Sequence, residues 1–181
     1  GRSTIELKAT QLGIELDASQ IEMFERYCRE IVEWNPRAGL TSVTAYDEVQ
    51  TRHFLDSLTV SAAIPGDLLE DGAELLDVGS GAGLPGIPLA IAYPGLRVTL
   101  LEATQKKAVF LSHVTDELGL DSAKVLTGRA ETHARDGELR ERFAIVVSRA
   151  VARLSVLAEL TVPFCRIGGR CVAQKAMGAE Q

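Results

Sequence analysis

Residues 75–86 read LLDVGSGAGLPG, and the fold can be inferred outward from this stretch. A short apolar run leads into a glycine cluster, and a helix is predicted to begin at about Pro85, because proline suits the first turn of a helix. Gly79, Gly81 and Gly83 allow the backbone to bend and a ligand to approach it closely. Ligands of doubly wound sheets bind at the carboxyl ends of strands, so the cluster has the position of a ligand-binding loop.

The rest of the chain alternates between strand and helix patterns. Strands are predicted at 75–78, 97–102, 124–127, 143–148 and 170–174, and helices at 86–92, 104–118 and 153–164. This alternation is typical of an α/β fold with a mostly parallel, Rossmann-like sheet and right-handed crossovers. Residues 1–66 predict a helical extension, with helices over 19–34 and 45–63, packed on a core formed by 67–181.

Composition narrows the class of protein. Hydrophobic residues make up 46% of the 181 residues, and no apolar run approaches the about 20 residues that span a bilayer. Cys28, Cys165 and Cys171 form no Cys-x-x-Cys pair, which predicts reduced cysteines in a cytoplasmic protein and no metal site. The net charge of −6 argues against a generic nucleic-acid binder, although a local basic face is compatible with it.

Two carboxylates indicate which ligand the glycine loop takes. Gly81, Gly83 and Gly86 formally match the dinucleotide fingerprint G-x-G-x-x-G. Asp77, just before the loop, would repel a pyrophosphate but suits a cofactor that carries an ammonium and a sulfonium. Glu102 ends the next strand about 20 residues on, where an acidic side chain meets a ribose diol. The pattern therefore predicts S-adenosylmethionine, held by Asp77, Glu102 and the loop glycines.

Other interpretations of these positions remain open from sequence alone. Glu102 could be a solvated cap of the following helix. The pair Ala130-Glu131 follows the third strand, where backbone N–H groups commonly frame an adenine, but alone it would be an ordinary helix start.

Several blocks resemble the bacterial small-subunit ribosomal RNA guanine-N7 methyltransferases, also called glucose-inhibited division protein B. The similarity extends over residues 20–176. It is carried by VT at 43–44, RHFLDSL at 52–58, DVGSGAGLPGIPL at 77–89, GRAE at 128–131 and VSRAVA at 147–152.

This resemblance implies methyl transfer to N7 of a guanine in 16S ribosomal RNA, free or in the small subunit or its precursor. It implies cofactor contacts from Gly79, Leu84, Ala130, Glu131 and Arg149, with Glu102, Ala103 and Thr104 flanking the ribose. The family's sheet has two more strands after the position of Lys175, so a chain ending at Gln181 would lack them.

The implied chemistry needs no general base, because guanine N7 has a lone pair and no proton to remove. Catalysis would then depend on holding N7 in line with the methyl group and the leaving sulfur. The RNA major groove is hard for side chains to enter, so the guanine is expected in a loop or extruded.

Basic residues near the predicted strand ends are candidates for contacting RNA: Arg149, Arg153, Arg129, Arg52 and Lys175. Each could instead be a solvated or ion-paired surface charge. His53 is expected to be a packed, hydrogen-bonded helix residue, and Trp34 is expected to close the apolar face of the first helix.

Three rival functions follow from the same residues. A methyltransferase of this fold could act on a small molecule or protein, which the acidic charge favours. The Gly81-Gly83-Gly86 match keeps a dehydrogenase as an alternative. A non-catalytic cofactor-binding assembly factor is the third.

Overall fold

The computed structural model describes residues 1, 3–42, 45–150 and 154–175. Five strands form one sheet: β1 Glu74–Val78, β2 Arg97–Glu102, β3 Ala123–Thr127, β4 Phe143–Ala150 and β5 Cys165–Lys175. Their order is β3-β2-β1-β4-β5, and every neighbouring pair is parallel. The order of the strands reverses at β1: β2 and β3 lie on one side of it, and β4 and β5 lie on the other. The carboxyl ends of β1 and β4 are therefore the expected ligand site. The predicted α/β class is confirmed.

The helices between the strands connect the parallel strands over both faces of the sheet. They are α5 Gly86–Ala92, α6 Gln105–Glu117, α7 Ala130–His133 and α8 Leu154–Thr161, followed by a 3-10 turn at Val162–Phe164. The helix predicted over 86–92 is confirmed at both ends, and that predicted over 104–118 within one residue of each.

The N-terminal region is helical, as predicted, but its elements differ from those expected. α1 Thr4–Gln11 and α2 Ala18–Ala38 come first, and a continuous helical stretch follows: α3 Tyr46–Glu48, a π-helical segment Val49–Phe54, α4 Leu55–Thr59 and a 3-10 turn Val60–Ala63. A further 3-10 turn lies at Gly66–Leu68. α1 escaped prediction because it is short and buries only Ile5 and Ala9.

The end of α2 corrects the helix predicted over 19–34, because α2 continues past Trp34 to Ala38. Asp17 and Gln20 form a capping box at the start, and the helix runs through Pro36 to Ala38. Pro36 lies in the last turn and removes one backbone hydrogen bond there, but the helix continues for two more residues. Gly39, with φ 61°, ends the helix instead and donates its N–H to the carbonyl of Asn35.

β5 begins five residues before the predicted start at 170. Phe143 pairs with Cys165 and Ile145 pairs with Arg170, so residues 166–169 bulge out of the ladder. Gly168 sits in this bulge with φ 80°.

One large apolar core joins the N-terminal helices to the sheet. Phe24 and Tyr27 of α2 pack on Phe54, with ring centroids 5.3 and 5.0 Å away, and this cluster continues to Leu75 of β1 and Ile145 of β4. A smaller cluster covers the other face of the sheet, with Leu76, Val78, Leu101, Leu139, Phe143, Val146 and Phe164. Within the described residues, no helix has the length and apolar character needed to cross a bilayer.

Candidate active site

A pocket of about 450 Å³ opens at the carboxyl ends of β1, β2 and β4. This volume falls in the range of small-molecule and cofactor sites. Its wall contains Leu40, Val78, Gly79, Ser80, Gly81, Ala82, Leu101, Glu102, Ala103, Lys107, Gly128, Arg129, Ala130, Glu131, Ser148, Arg149, Leu157, Leu160 and Thr161.

The loop after β1 forms one side of the pocket because its glycines adopt conformations that other residues avoid. Gly79 has φ 72° and Gly81 has φ 56°. A Cβ built on either glycine would meet no atom within 4 Å, so the backbone is left bare for a ligand to approach.

The backbone N–H groups of this loop donate within the protein. Gly79 and Ser80 donate to the carbonyl of Leu101 at 2.9 and 3.1 Å. Gly81 donates to Glu102 Oε2 at 2.9 Å. A pyrophosphate needs such N–H groups free at the loop, so this arrangement disfavours a dinucleotide.

Glu102 lies at the end of β2 and links that strand to the glycine loop. Its side chain is buried, and its carboxylate accepts hydrogen bonds from the N–H of Gly81 and, at 3.3 Å, from that of Thr104. A carboxylate offers about four acceptor positions, so Glu102 can still accept from a ligand's hydroxyl groups. This geometry fits a ribose diol.

Asp77 lies behind the loop and not in the pocket wall. It is fully buried, and its Oδ2 accepts a hydrogen bond from the N–H of Gly86 at 2.9 Å, at the start of α5. Burial raises the pKa of Asp77 from 3.8 to about 7, although the Gly86 N–H opposes this shift. Asp77 therefore does not line the pocket, and its direct contact with the cofactor stays a prediction.

Three buried polar atoms near the pocket have no protein partner: Asp77 Oδ1, Ser148 Oγ and Arg149 Nε. They belong to the last residues of β1 and β4, and Ser148 pairs with Val78 in the ladder. Buried polar atoms without partners are costly, and a ligand that supplies hydrogen bonds would remove the cost. With the bare glycine loop and Glu102, the wall atoms Ser148 Oγ and Arg149 Nε fit a polar nucleoside that also carries acceptor groups, such as S-adenosylmethionine with its carboxylate.

The other predicted positions divide between the pocket wall and its surroundings. Ala103, Ala130 and Glu131 line the pocket, whereas Gly83, Leu84 and Thr104 do not. Arg129 lies at the mouth, where its exposed side chain is 3.6 Å from Glu131. Arg52 is exposed and outside the wall, and Arg153 and the side chain of Lys175 lie outside the described residues.

Several wall residues were missed from sequence. Leu157, Leu160 and Thr161 share one face of α8, a spacing that could have indicated a buried helix face but not what it covers. Ser148 adjoins the predicted Arg149, Lys107 comes three residues after the predicted Thr104, and Leu40 follows the Gly39 turn. Tyr27, whose hydroxyl donates to the carbonyl of Ala82, gave no local signal because 55 residues separate the two.

A family model described as GidB, rRNA small subunit methyltransferase G, matches residues 20–181. The chain belongs to this family. The match covers the sheet, the pocket and most of the helical extension, and it confirms the resemblance inferred from the sequence blocks. As a member of this family, the protein is a methyltransferase that uses S-adenosylmethionine.

Curated relatives named Ribosomal RNA small subunit methyltransferase G agree with this membership. The relative from Dehalococcoides mccartyi strain BAV1 is 50% identical over 94% of this chain and 71% of its own. That from Roseiflexus castenholzii is 49% identical over 95% of this chain and 72% of its own. The relative from Streptococcus thermophilus strain CNRZ 1066 is 43% identical over 94% of this chain and 71% of its own.

Solved structures share the fold at low sequence identity. A protein of Methanococcus maripaludis, classed as an S-adenosyl-L-methionine-dependent methyltransferase, superposes with a TM-score of 0.56 at 11% identity, over 83% of this chain and 63% of that one. A Staphylococcus aureus protein, classed as a caffeoyl-CoA O-methyltransferase, superposes with a TM-score of 0.53 at 11% identity. The superposition covers 81% of this chain and 65% of that one. Both support the Rossmann-like architecture alone. In the described part of the chain, no three His, Cys, Asp or Glu residues cluster as metal ligands.

Proposed function

We propose that this enzyme methylates N7 of a guanine in 16S ribosomal RNA. The observation that carries the proposal is the family match over residues 20–181, together with relatives whose names specify the RNA of the small ribosomal subunit. The substrate is the RNA itself, or the small subunit or its precursor, and the enzyme would act in the cytoplasm, where subunits are assembled.

The pocket residues would hold the cofactor from three strand ends. S-adenosylmethionine supplies a methyl group bound to a positively charged sulfur. Glu102 would accept hydrogen bonds from the ribose hydroxyls, and Gly79 and Gly81 would allow close contact with the backbone. Ala130 and Glu131 would border the adenine, and Arg149 and Ser148 would contact the cofactor from β4.

Three acid or base groups at or near the pocket already have hydrogen-bond partners in the protein, which supports a reaction that removes no proton. Asp77 is buried against Gly86, and Glu102 accepts two backbone N–H groups. Both ring nitrogens of His53 are hydrogen-bonded, to Thr41 and Arg149. A nucleophile with a lone pair and no proton, such as guanine N7, matches this set because it needs no base.

The protein would otherwise contribute by placing the guanine in line with the methyl group and by excluding water from the pocket. Leu40, Leu157 and Leu160 give the pocket an apolar side. A water-poor wall strengthens the electrostatic interactions of the charged groups beside it. Arg129, Arg52, Arg153 and Lys175 are proposed to contact RNA phosphates around the mouth.

The test is methyl transfer from labelled S-adenosylmethionine to separate pools of 16S RNA, 23S RNA, small subunits and total protein. Label is expected in 16S RNA or in small subunits, and nuclease digestion followed by mass spectrometry is expected to yield 7-methylguanosine. Label confined to protein, or a methyl group on another atom of the base, would refute the assignment.

A matched pair of variants tests whether methyl transfer takes place in this pocket. Arg149→Ala is expected to lower turnover at least about tenfold, since it removes a charged donor from the wall. Arg166→Ala changes an exposed arginine in the β5 bulge, at the opposite end of the sheet, and is expected to retain parental turnover. Equal turnover of the two variants would place the reaction elsewhere.

A further inference from the structure

A buried histidine connects the N-terminal helices to the pocket. His53 belongs to the π-helical segment Val49–Phe54 and is 7% exposed. Its Nδ1 lies 3.2 Å from an Nη2 of Arg149, and its Nε2 lies 2.7 Å from Oγ1 of Thr41. The link crosses 96 residues of sequence and ends in the pocket wall.

The chemistry of the two partners fixes the proton positions on His53. A guanidinium can only donate hydrogen bonds, so Nη2 of Arg149 donates and Nδ1 of His53 accepts. The imidazole is therefore neutral, with its proton on Nε2, which donates to Thr41. Burial, followed by the charges of Arg149 and Arg52, lowers the pKa of His53 to about 4, in keeping with this neutral state.

The π-helical backbone around His53 indicates that this contact serves a function. A π-helical turn is rare in proteins and occurs frequently at functional sites. Phe54 and Leu55, beside His53, are buried and apolar, so packing alone could be satisfied by another apolar side chain. A buried imidazole costs free energy unless both nitrogens find partners, and here both do.

The contact also limits the freedom of a flexible side chain at the pocket. Arg149 lines the wall near the end of β4, and its Nε is buried with no protein partner. Holding Nη2 fixes the plane of the guanidinium, so the direction of the Nε–H is set before a ligand arrives. Preorganisation of this kind improves binding by reducing the ordering that binding requires.

We propose that His53 is a positioning residue that holds the Arg149 guanidinium in the wall of the cofactor pocket. The inference rests on the proposed role of Arg149 in contacting the cofactor. His53 itself touches neither cofactor nor RNA in this arrangement. It acts through Arg149, as a neutral acceptor supplied by the N-terminal helices.

Two substitutions separate positioning from packing. In His53→Asn, the side-chain oxygen lies near the former Nδ1 and can still accept from Arg149, whereas in His53→Gln the polar atoms lie near the former Nε2. Calorimetry with S-adenosylhomocysteine is expected to show about tenfold weaker binding for His53→Gln and less than about threefold for His53→Asn. Melting temperatures measured in parallel verify that both variants are folded at the assay temperature.

A double-mutant cycle tests whether the effect passes through Arg149. In an Arg149→Met background, His53→Gln is expected to change the affinity for S-adenosylhomocysteine by less than about twofold, because the group it positions is gone. Full additivity of the two losses would overturn the proposal. So would equal affinity losses in His53→Asn and His53→Gln, or unchanged affinity in His53→Gln.

Nitrogen-15 NMR of the histidine side chains gives a readout independent of ligand and activity. At pH 7, His53 is expected to be the tautomer with its proton on Nε2, and Arg149→Met is expected to shift the Nδ1 resonance. A proton on Nδ1 would contradict the inference. Failure of RNA methylation combined with the expected binding pattern would overturn the proposed substrate and leave the positioning role intact.

Discussion

Glu102 joins the glycine loop to the end of β2 through a single carboxylate. Replacing it with glutamine keeps the size of the side chain but removes the charge and half of the acceptor capacity. Glu102→Gln is expected to weaken S-adenosylmethionine binding by about tenfold or more, the usual effect of losing a charge-assisted hydrogen bond. Calorimetry measures it, with Glu33→Gln on the exposed face of α2 as control. Equal affinities in the two variants would contradict the ribose role.

Asp77 gives the folded protein a pH dependence of unusual sign for a carboxyl group. Because its pKa is about 7 in the folded state and ordinarily 3.8, the folded chain binds more protons than the unfolded chain between these values. Its contribution to the free energy of unfolding therefore falls as pH rises from about 4 to about 7.

Asp77→Asn is expected to remove the fall in the free energy of unfolding that Asp77 causes as the pH rises. The difference in unfolding free energy between parent and variant, from urea titrations at pH 5 and pH 8, should shift in favour of the variant at the higher pH. Asp116→Asn, an exposed change on α6, should show no such shift. The opposite sign for Asp77→Asn would mean that the folded protein favours the ionised carboxylate.

Single residues could be predicted from sequence where the signal was local. Gly79, Gly81, Glu102 and Ala130 follow strands whose ends meet at one edge of the sheet, so their position in the pocket wall followed from the order of elements. The direction of the Asp77 side chain could not be predicted in this way, because it depends on where α5 begins above β1. The contact between His53 and Arg149 depends on tertiary packing across most of the chain.

At the scale of elements, α5 is packed too closely on the sheet for any side chain at its first residue. A Cβ on Gly86 would stand 2.5 Å from Leu100 Cδ2 and 2.7 Å from Asp77 Oδ2, whereas a Cβ on Gly81 would meet open space. Gly86→Ala is expected to destabilise the protein by about 3 kcal/mol through overpacking. Gly81→Ala is expected to cost about 1 kcal/mol, for a side chain at positive φ. Urea unfolding that reverses this order would refute the packing argument.

The longest helix, α2, is tied to the glycine loop by one hydrogen bond, from the Tyr27 hydroxyl to the carbonyl of Ala82. Tyr27→Phe is expected to destabilise the fold by about 1–2 kcal/mol, because the buried carbonyl loses its donor. Cofactor affinity should fall severalfold as the loop loosens. Tyr93→Phe is the control at a half-buried tyrosine. Calorimetry and thermal unfolding measure the two effects, and a Tyr27→Phe variant equal to Tyr93→Phe in both would disprove the link.

Elements were predictable where hydrophobic periodicity alone determined them. β2 and α5 have the predicted ends, because each is an apolar run bounded by clear turn residues. The π-helical segment and the β5 bulge were not predictable, since both are departures from regular geometry that tertiary packing maintains. The extension of α2 through Pro36 shows that a proline is a bias and not a fixed stop.

For the whole molecule, an acidic chain must approach an acidic polymer. The net charge of −6 opposes RNA binding at long range, so attraction must come from arginines and lysines around the pocket mouth. Arg129→Gln and Arg52→Gln are each expected to weaken RNA binding and to reduce its salt dependence by about 0.7 log units per decade of salt. Arg166→Gln should change neither quantity. Fluorescence titrations of small-subunit RNA at several salt concentrations test this, and unchanged slopes would remove these arginines from the interface.

The pocket wall draws on residues from Leu40 to Thr161, so a nascent chain lacks part of the wall until Thr161 has been made. During translation, Arg149 is synthesised 96 residues after His53, which takes roughly 5–20 seconds at bacterial synthesis rates. The growing chain therefore has an incomplete cofactor pocket until Thr161 has been made, and S-adenosylmethionine can stabilise only chains that have passed this point.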